Sequence, residues 1–174
     1  MELRDRRDDD VPGAVALLAR VHDEDAYPSR WPQDPAAWLS PGGSRGAWVV
    51  VAGAAVVGHV ALVDRAPGRG LPTDAPAEVV RLFVDPDRRR SGVGRLLLGA
   101  AVDRAHELGL AVDLQVVAAS AQAVAAYERL GWRVVRRHAA AWVTASGEHP
   151  EVLRMAPPPR PGEAPETVHG RAAR

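Results

Sequence analysis

Residues 88–95 combine arginine and glycine in an arrangement suited to binding an anion. The stretch reads Arg-Arg-Arg-Ser-Gly-Val-Gly-Arg and follows an apolar run that ends at Pro86. Glycine at 92 and 94 lets the backbone approach a ligand without an intervening Cβ atom. If a helix begins here, the amides of its first turn have no intrahelical partner and lie at the positive end of the helix dipole. The stretch therefore predicts a phosphate-binding turn, to which the arginines add positive charge.

Three phosphate-binding motifs can be compared with this stretch. A Walker A loop requires Gly-Lys-Ser/Thr, and the sequence contains no lysine. A dinucleotide fingerprint requires Gly-x-Gly-x-x-Gly, but Leu97 occupies the third glycine position and no ribose-binding acid follows at a suitable place. The pattern that remains is Arg89-x-x-Gly92-x-Gly94.

This pattern resembles the pyrophosphate-binding signature of the GNAT superfamily of acyl-CoA-dependent N-acetyltransferases. The residues that agree with the wider family pattern are Glu78, Leu82-Phe83-Val84-x-Pro86, Leu97 and Tyr127-Glu128-Arg129-Leu130-Gly131-Trp132. The last of these looks like the family's Tyr-x-x-x-Gly-Phe/Trp element. The resemblance covers residues 46–155. It implies transfer of an acetyl or other acyl group from acetyl-CoA, as co-substrate, to a primary amine.

The resemblance also implies where acetyl-CoA binds. In the family fold a bulged strand, here 78–84, splays from the strand at 112–117, and the pantetheine arm lies between the two. The thioester is then expected near Val84, whose free amide could polarise the carbonyl, and the pyrophosphate on the amides of 89–95. The residues expected to bind the cofactor are Phe83, Val84, Arg89, Arg90, Ser91, Gly92, Val93, Gly94, Arg95 and Ser120.

Two residues are candidates for acid–base chemistry. Tyr127 matches the family tyrosine that protonates the leaving thiolate, so it is the candidate general acid. The alternative is a core tyrosine that packs with Val124 and Leu130. Glu78 is the candidate base that takes a proton from the amine through water. The alternative is a carboxylate that faces solvent at a strand end.

Two positions depart from the family pattern. Glycine often follows the motif arginine directly, whereas this chain has Arg90, which must hold a conformation that glycine adopts more easily. Asparagine is often found where this chain has Ser120, whose hydroxyl is expected to cap the following helix. We expect acetyl-CoA binding to survive both changes.

The elements that position these residues are predicted from hydrophobic periodicity and turn residues. The predicted order is β-α-(α)-β-β-β-α-β-α-β-β, with a first helix ending near His22 and a second long helix over 90–108. The strand–helix–strand unit at 78–117 requires parallel pairing, and the hairpins at either end are antiparallel. The fold class is α/β. We expect a single-domain GNAT-like fold whose mixed, mostly antiparallel sheet has a central splayed parallel pair and helices on both faces.

The predicted acetyltransferase domain spans 1–156. Residues 157–174 form a proline-rich tail that buries too little apolar surface to become ordered.

Composition excludes several other classes of function. The 22 basic and 22 acidic residues cancel, which argues against attraction to nucleic acid or to anionic lipid. The sequence has no cysteine and no lysine, so disulfides, thiolate catalysis and Schiff-base chemistry are excluded. No metal site is expected, because no histidine and carboxylate residues have ligand spacing. The charged N-terminus and the lack of a long apolar run favour a cytoplasmic location without a membrane span.

The acceptor is a small-molecule or peptide amine whose identity the sequence leaves open. Antibiotics, polyamines, amino acids, peptides and proteins all remain candidates. The preferred length of the acyl chain is also open. The aromatic residues of the segment after the first helix and of the last hairpin, with Asp23, Glu24 and Asp25, would suit a cationic amine. A homodimer is one assembly that the resemblance implies. The alternatives are a non-catalytic acyl-CoA-binding regulatory module and a different nucleotide-binding α/β domain.

Overall fold

The computed structural model describes residues 1–65, 75–144 and 147–159. Within these ranges the strands are β1 (Glu2–Asp5), β2 (Ser44–Ala52), β3 (Ala55–Asp64), β4 (Ala77–Val84), β5 (Val112–Val117), β6 (Arg133–Ala139) and β7 (Glu151–Ala156). The helices are α1 (Val11–Asp25), α2 (Pro35–Leu39), α3 (Val93–Glu107) and α4 (Ala121–Arg129). Short 3₁₀ turns, Asp8–Asp10 and Pro86–Arg88, precede α1 and α3.

The strands form one mixed sheet in the order β1-β2-β3-β4-β5-β7-β6. Strands β4 and β5 pair in parallel, and the other neighbouring strands pair antiparallel. The connection between β4 and β5 runs through α3, as a parallel pair requires. This topology confirms the predicted fold class, the predicted order of elements and the parallel unit at 78–117.

Helices cover both faces of the sheet. In β2, Trp48 and Val50 join the hydrophobic cluster that contains the apolar stripe of α3, whereas Val49 between them joins the cluster that contains α1. Successive side chains of a strand point to opposite faces, so α3 and α1 lie on opposite sides of the sheet. The apolar residues of α4 pack against the α3 cluster. The prediction of helices on both faces is therefore confirmed.

Gly58 allows α3 to lie close to the sheet. A Cβ atom built at Gly58, in β3, would lie 2.6 Å from Cγ1 of Val93 and 2.8 Å from Cδ1 of Leu97. Both of these side chains are fully buried in the first turns of α3. The absence of a side chain at Gly58 thus sets the height of the α3 N-terminus above β3 and β4.

The predicted helix boundaries differ from the structure at two places. Helix α1 continues to Asp25 rather than ending near His22, and residue Ala26 then ends it in the left-handed conformation. Helix α3 begins at Val93 rather than at Arg90. The reason is that Arg90 and Gly92 have φ values of 64° and 89°, which an α-helix does not accommodate.

Some predictions fall outside the described residues. Of the predicted proline-rich tail at 157–174, residues 160–174 lie outside the described part of the chain. Residues 66–74 of the turn-like segment between β3 and β4 also lie outside it. Strand β7 ends at Ala156, the last residue of the predicted domain, and the domain limits stay a prediction.

Replacing Gly58 with alanine is expected to lower the free energy of unfolding by about 1–3 kcal/mol, because the added methyl group overpacks the contact with Val93 and Leu97. Thermal or urea unfolding measures this change. Gly99→Ala is the matched control, since a Cβ atom at this position of α3 meets no atom within 4 Å. Helix propensity alone should make Gly99→Ala neutral or stabilising by up to about 1 kcal/mol. Equal stability changes in the two variants would contradict the packing argument.

Candidate functional site

The centre of the sheet contains a gap between β4 and β5. Their parallel pairing covers only 77–79 against 112–114, and beyond Leu114 strand β5 pairs with β7 instead. On its other side β4 carries a bulge, because Phe83 pairs with His59 and Val80 with Ala61, so that two β4 residues oppose Val60. The gap and the bulge confirm that the central parallel pair is splayed.

A buried hydrogen-bond chain holds the bulge. Arg81 lies in the bulge with a φ of 56°, and its carbonyl oxygen is 2.9 Å from Nδ1 of His59. Arg6 donates to Nε2 of His59 at 3.1 Å, so Nδ1 carries the proton and donates to Arg81. Burial lowers the pKa of His59 to about 4 and keeps the ring neutral. His59 is therefore a satisfied residue of the sheet that fixes the backbone of Arg81.

The amide of Val84 is directed into the gap. Val84 pairs with Gly58 in the β3–β4 ladder, and the next residue, Asp85, donates its amide to the carbonyl of Val57 at 2.9 Å. Hydrogen-bonded and non-hydrogen-bonded pairs alternate along an antiparallel ladder, so the Val84 amide points away from β3. On that side lies the part of β5 that does not pair with β4. The Val84 amide can therefore donate to a group bound in the gap.

Helix α3 begins beside the same gap. Gly92 is its N-cap in the left-handed conformation, and Leu96 makes the first helical bond, from its amide to the Gly92 carbonyl at 3.1 Å. The amides of 92–95 precede this bond and lie at the positive end of a helix of 15 residues. Space around Gly92 is open, since a Cβ atom there would meet no atom within 4 Å. The turn thus has free amides and open space, the geometry that an anion-binding turn requires.

The arginines around this turn differ in their partners. The side chains of Arg88, Arg90 and Arg95 are exposed, and within the described residues they make no ion pair. Arg89 binds Glu24, at 3.1 Å, and Asp25, both at the C-terminal end of α1. Arg89 thereby ties the turn before α3 to the opposite face of the sheet. Glu24 and Asp25, expected near a cationic acceptor, line the cavity and are bound by this arginine.

Three other predicted cofactor residues occupy different positions. The ring of Phe83 is 4% exposed and stacks on His59 in the α1-side core, although the residue also lines the cavity. The hydroxyl of Ser91 donates to the carbonyl of Arg88 at 2.5 Å and closes the turn. Ser120 is the N-cap residue of α4, but its side chain makes no capping bond, contrary to the expectation. Its hydroxyl is thus available to a ligand.

Tyr127 lies on α4 beside the gap. Its ring is half-buried, packs against the α3-side core and lies 6.3 Å from the ring of Trp132. Burial raises the pKa of its hydroxyl above the ordinary tyrosine value, and Tyr27 adds to the effect. Tyr127 is therefore protonated at neutral pH, as a proton donor must be.

Glu78 belongs to a buried network of charges. Its carboxylate accepts from Arg65 at 3.0 Å and from Nε2 of Gln115 at 3.0 Å, and its side chain is 17% exposed. Arg65 also binds Asp113 at 2.5 Å, and Arg154 binds the same carboxylate at 2.8 Å. Burial raises the pKa of Glu78 above the usual value, although the Arg65 guanidinium opposes the increase. Glu78 is thus neither a surface carboxylate nor an isolated one.

Sequence reasoning missed the partners of Glu78. Arg65 and Asp113 are adjacent to it only because β3, β4 and β5 are neighbours in the sheet, and Asp113 pairs with Glu78 in the β4–β5 register. One signal was present in the sequence: Asp113 and Arg154 are charged residues flanked on both sides by apolar residues of their strands. Charged residues in buried strands require partners, so the two could have been paired on that ground.

One cavity connects these groups. Its lining includes residues of the α3 turn, the gap between β4 and β5, Tyr127 and Glu78, together with Tyr27, Arg81 and Trp142. Across the described ranges, no helix is long and apolar enough to cross a bilayer. The described residues also contain no group of three or more histidine or carboxylate side chains arranged to hold a metal. The cytoplasmic location stays a prediction.

The chain is similar to known acetyltransferases in sequence. Residues 14–132 match the acetyltransferase (GNAT) family. Mycothiol acetyltransferase of Propionibacterium freudenreichii subsp. shermanii is 38% identical over 144 residues, which cover 74% of this chain and 42% of that protein. The [ribosomal protein bS18]-alanine N-acetyltransferase of Escherichia coli K12 is 33% identical over 82 residues, covering 47% of this chain and 55% of that protein. The chain spans about half the length of the curated relatives it matches.

Solved structures share the fold. The ribosomal-protein-S18-alanine N-acetyltransferase from Escherichia coli has a TM-score of 0.65 at 22% identity, covering 93% of this chain and 96% of that one. The structure of yncA from Salmonella typhimurium, a putative acetyltransferase with its cofactor acetyl-CoA, has a TM-score of 0.68 at 20% identity. The match covers 96% of this chain and 98% of that one. At these identities the likeness shows the fold alone.

Gly94→Val tests the anion-binding turn. A Cβ atom at Gly94 would meet only Cγ2 of Val84, at 3.9 Å, so the fold accommodates it while a ligand on the amides would not. We expect the dissociation constant for acetyl-CoA to rise at least tenfold, about 1.4 kcal/mol, in calorimetric titration. Gly99→Val, in the same helix with no atom within 4 Å of its Cβ position, is the control and should keep wild-type affinity. Unchanged affinity in Gly94→Val would remove the pyrophosphate assignment.

Proposed function

Because the chain belongs to the GNAT acetyltransferase family, we propose that it transfers an acetyl group from acetyl-CoA to a primary amine. The observation that carries the proposal is the gap between β4 and β5, with the Val84 amide directed into it beside the N-terminus of α3. A thioester bound there would have a backbone donor at its carbonyl and an anion-binding turn for its pyrophosphate. The residues present fit acetyl-CoA as a co-substrate.

The binding residues act mainly through their backbone. The amides of 92–95 bind the pyrophosphate, and the exposed guanidinium groups of Arg88, Arg90 and Arg95 add positive charge around it. The conformation of Arg90, at a φ of 64°, points the backbone of the turn toward the ligand where the family often uses glycine. Ser120 contributes a hydroxyl from the opposite side of the gap. The Val84 amide polarises the thioester carbonyl as a single preformed donor.

Tyr127 and Glu78 supply the proton transfers. Tyr127 stays protonated because its hydroxyl is desolvated, and it donates this proton to the departing thiolate. Glu78 has a raised pKa, which brings the carboxylate nearer to the working pH of a general base. Its side chain lies in the wall of the same cavity. It accepts the proton of the amine through water before the amine attacks.

The amine attacks the thioester directly in a ternary complex. The sequence has neither cysteine nor lysine to carry a covalent acyl group. The acceptor is a small-molecule or peptide amine. The named relatives are a mycothiol acetyltransferase and an N-acetyltransferase that acts on an alanine of ribosomal protein bS18. The alternative of a regulatory module that only binds acyl-CoA would need neither a protonated Tyr127 nor a buried Glu78.

Tyr127→Phe tests the function and the general acid together. The substitution removes the phenolic proton and little volume, so turnover should fall by about 10²–10⁴-fold when chemistry limits the rate. The affinity for acetyl-CoA should stay near that of wild type. The measurement is release of free CoA thiol across a panel of amines, with calorimetry for affinity.

Two results would contradict these assignments. Full turnover in Tyr127→Phe would assign the residue to packing. Binding of acetyl-CoA by the wild-type protein without amine-dependent thiol release over a broad panel would favour the regulatory module.

Glu78→Gln tests the base. The raised pKa of Glu78 means that the wild-type carboxylate becomes protonated, and its activity falls, as the pH drops toward this pKa. The variant cannot accept the proton, so its deficit should be largest between the pKa of Glu78 and the pKa of the amine. The deficit should shrink at lower pH, where the wild-type carboxylate is also protonated, and at higher pH, where the free fraction of the amine rises. The amide oxygen of the substituted side chain can still accept the hydrogen bond from Nε2 of Gln115, so the fold should tolerate the change. Superimposable pH–rate profiles of the two proteins on one good acceptor would leave Glu78 with a binding role at most.

A further inference from the structure

We infer that Arg81 binds a carboxylate of the acceptor, so that the acceptor is an amine with a carboxylate a few atoms away, as in an α-amino acid. The inference rests on the proposed function and concerns the substrate class of the same site. It comes from three features of this arginine: its position in the bulge of β4, the contacts that hold it there, and its hydrogen-bond donors that have no acceptor in the described residues.

Both the side chain and the backbone of Arg81 are held in place by neighbouring residues. Its guanidinium carbon lies 3.8 Å from the centroid of the Trp38 ring, and its Nε donates to the carbonyl oxygen of Trp38 at 3.1 Å. His59 fixes the backbone through the Arg81 carbonyl. A bulged backbone with a φ of 56° is costly for arginine, and the contacts on both the backbone and the side chain keep it in place. Arg81 is therefore preorganised before any ligand binds.

The terminal nitrogens of Arg81 have no protein acceptor. Within the described residues they make no hydrogen bond or ion pair, although Trp38 covers one face of the guanidinium and the side chain is half-buried. Burial lowers the pKa of Arg81, and the opposing attractions of Tyr27 and Glu78 do not offset this desolvation. The residue lines the cavity that contains Glu78 and Tyr127. A half-buried cation that faces a cavity without an acceptor is suited to an anionic ligand.

Four carboxylates of the neighbouring elements already bind other arginines. Glu78 and Asp113 bind Arg65 and Arg154. Glu24 and Asp25, at the end of α1, bind Arg89 and are not directed to Arg81. Tyr27 is the nearest titratable neighbour on the α1 side, and burial raises its pKa to about 12, so it is neutral and supplies no anion. The positive charge of Arg81 thus remains for the acceptor, which disfavours polyamines and other polycations.

The position of Arg81 on β4 sets the spacing within the acceptor. Arg81 lies three residues from Glu78 and three from Val84 on the same strand. At about 3.3 Å per residue, the backbone of Arg81 is within roughly 10 Å of both. An amine held between Glu78 and the thioester therefore has its carboxylate within reach of the guanidinium when only a few bonds separate the two groups. A guanidinium offers two parallel donors to a carboxylate, which fixes the orientation of the acceptor as well as its charge.

The experiment compares L-amino acids with their primary carboxamides. Alanine, methionine and phenylalanine form the panel, because each pair keeps the amine and the side chain and differs in the negative charge. Calorimetry measures binding of each probe to the wild-type protein saturated with CoA, and thiol release measures kcat/KM with acetyl-CoA. At least one carboxylate probe should bind the wild-type protein about tenfold more tightly than its carboxamide.

Arg81→Gln should reduce this ratio to within about twofold, while the affinity for acetyl-CoA stays unchanged. The carboxylate-to-carboxamide affinity ratio is compared between the wild-type protein and the variant. The difference in amine basicity between an amino acid and its amide affects both proteins equally and therefore cancels. Arg81→Lys keeps the charge without the paired donors and should retain part of the preference. Arg104→Gln is the control, because this arginine forms an exposed ion pair with Glu107 near the far end of α3. It should keep the full wild-type ratio.

The outcomes separate the inference from the proposed function. Equal binding of both series by the wild-type protein, binding of neither series, or a preference that survives in Arg81→Gln would overturn the inference. Acetylation of carboxamides and simple amines without preference for carboxylates would support the proposed function and reject this acceptor class. Carboxylate binding that depends on Arg81, without thiol release, would support the inference and reject the proposed function.

Discussion

The loss of pairing between β4 and β5 is the constraint on which the rest of the site depends. After Val79 and Leu114 the two strands no longer share hydrogen bonds, and β5 pairs with β7 instead. Backbone amides that face the gap then need partners from water or from a ligand. The bulge in β4, held by His59, turns the strand away and exposes the Val84 amide. A break in the sheet thus creates a cleft lined by polar backbone groups within an otherwise apolar core.

Paired charges surround this cleft and stabilise its walls. Arg65 bridges Glu78 and Asp113, and Arg154 binds Asp113 from β7, so side chains join β4, β5 and β7 at the last positions where β4 and β5 still pair. Buried ion pairs often return little net stability, because desolvation offsets the attraction between the charges. Here the same desolvation raises the pKa of Glu78. An arrangement that adds little to folding can therefore prepare a carboxylate to accept a proton.

The two faces of the sheet contribute different halves of the site. Helix α3 approaches β3 closely at Gly58 and presents its first turn to the gap, while Trp38 of α2 supports Arg81 on the opposite side. Arg89 connects the halves, since it belongs to the turn before α3 and binds carboxylates at the end of α1.

The sequence by itself determined the order of elements, the parallel unit at 78–117 and the glycine-containing turn before α3, because local periodicity, glycine positions and the Arg89-x-x-Gly92-x-Gly94 pattern are short-range features. It also indicated that Arg90 would need a glycine-like conformation. Only the tertiary structure decided which charges meet. The pairing of Glu78 with Arg65, the use of Glu24 and Asp25 by Arg89 and the unused donors of Arg81 depend on contacts between residues distant in the chain. Side-chain partners follow from the neighbours that the sheet order brings together, and periodicity carries no information about them.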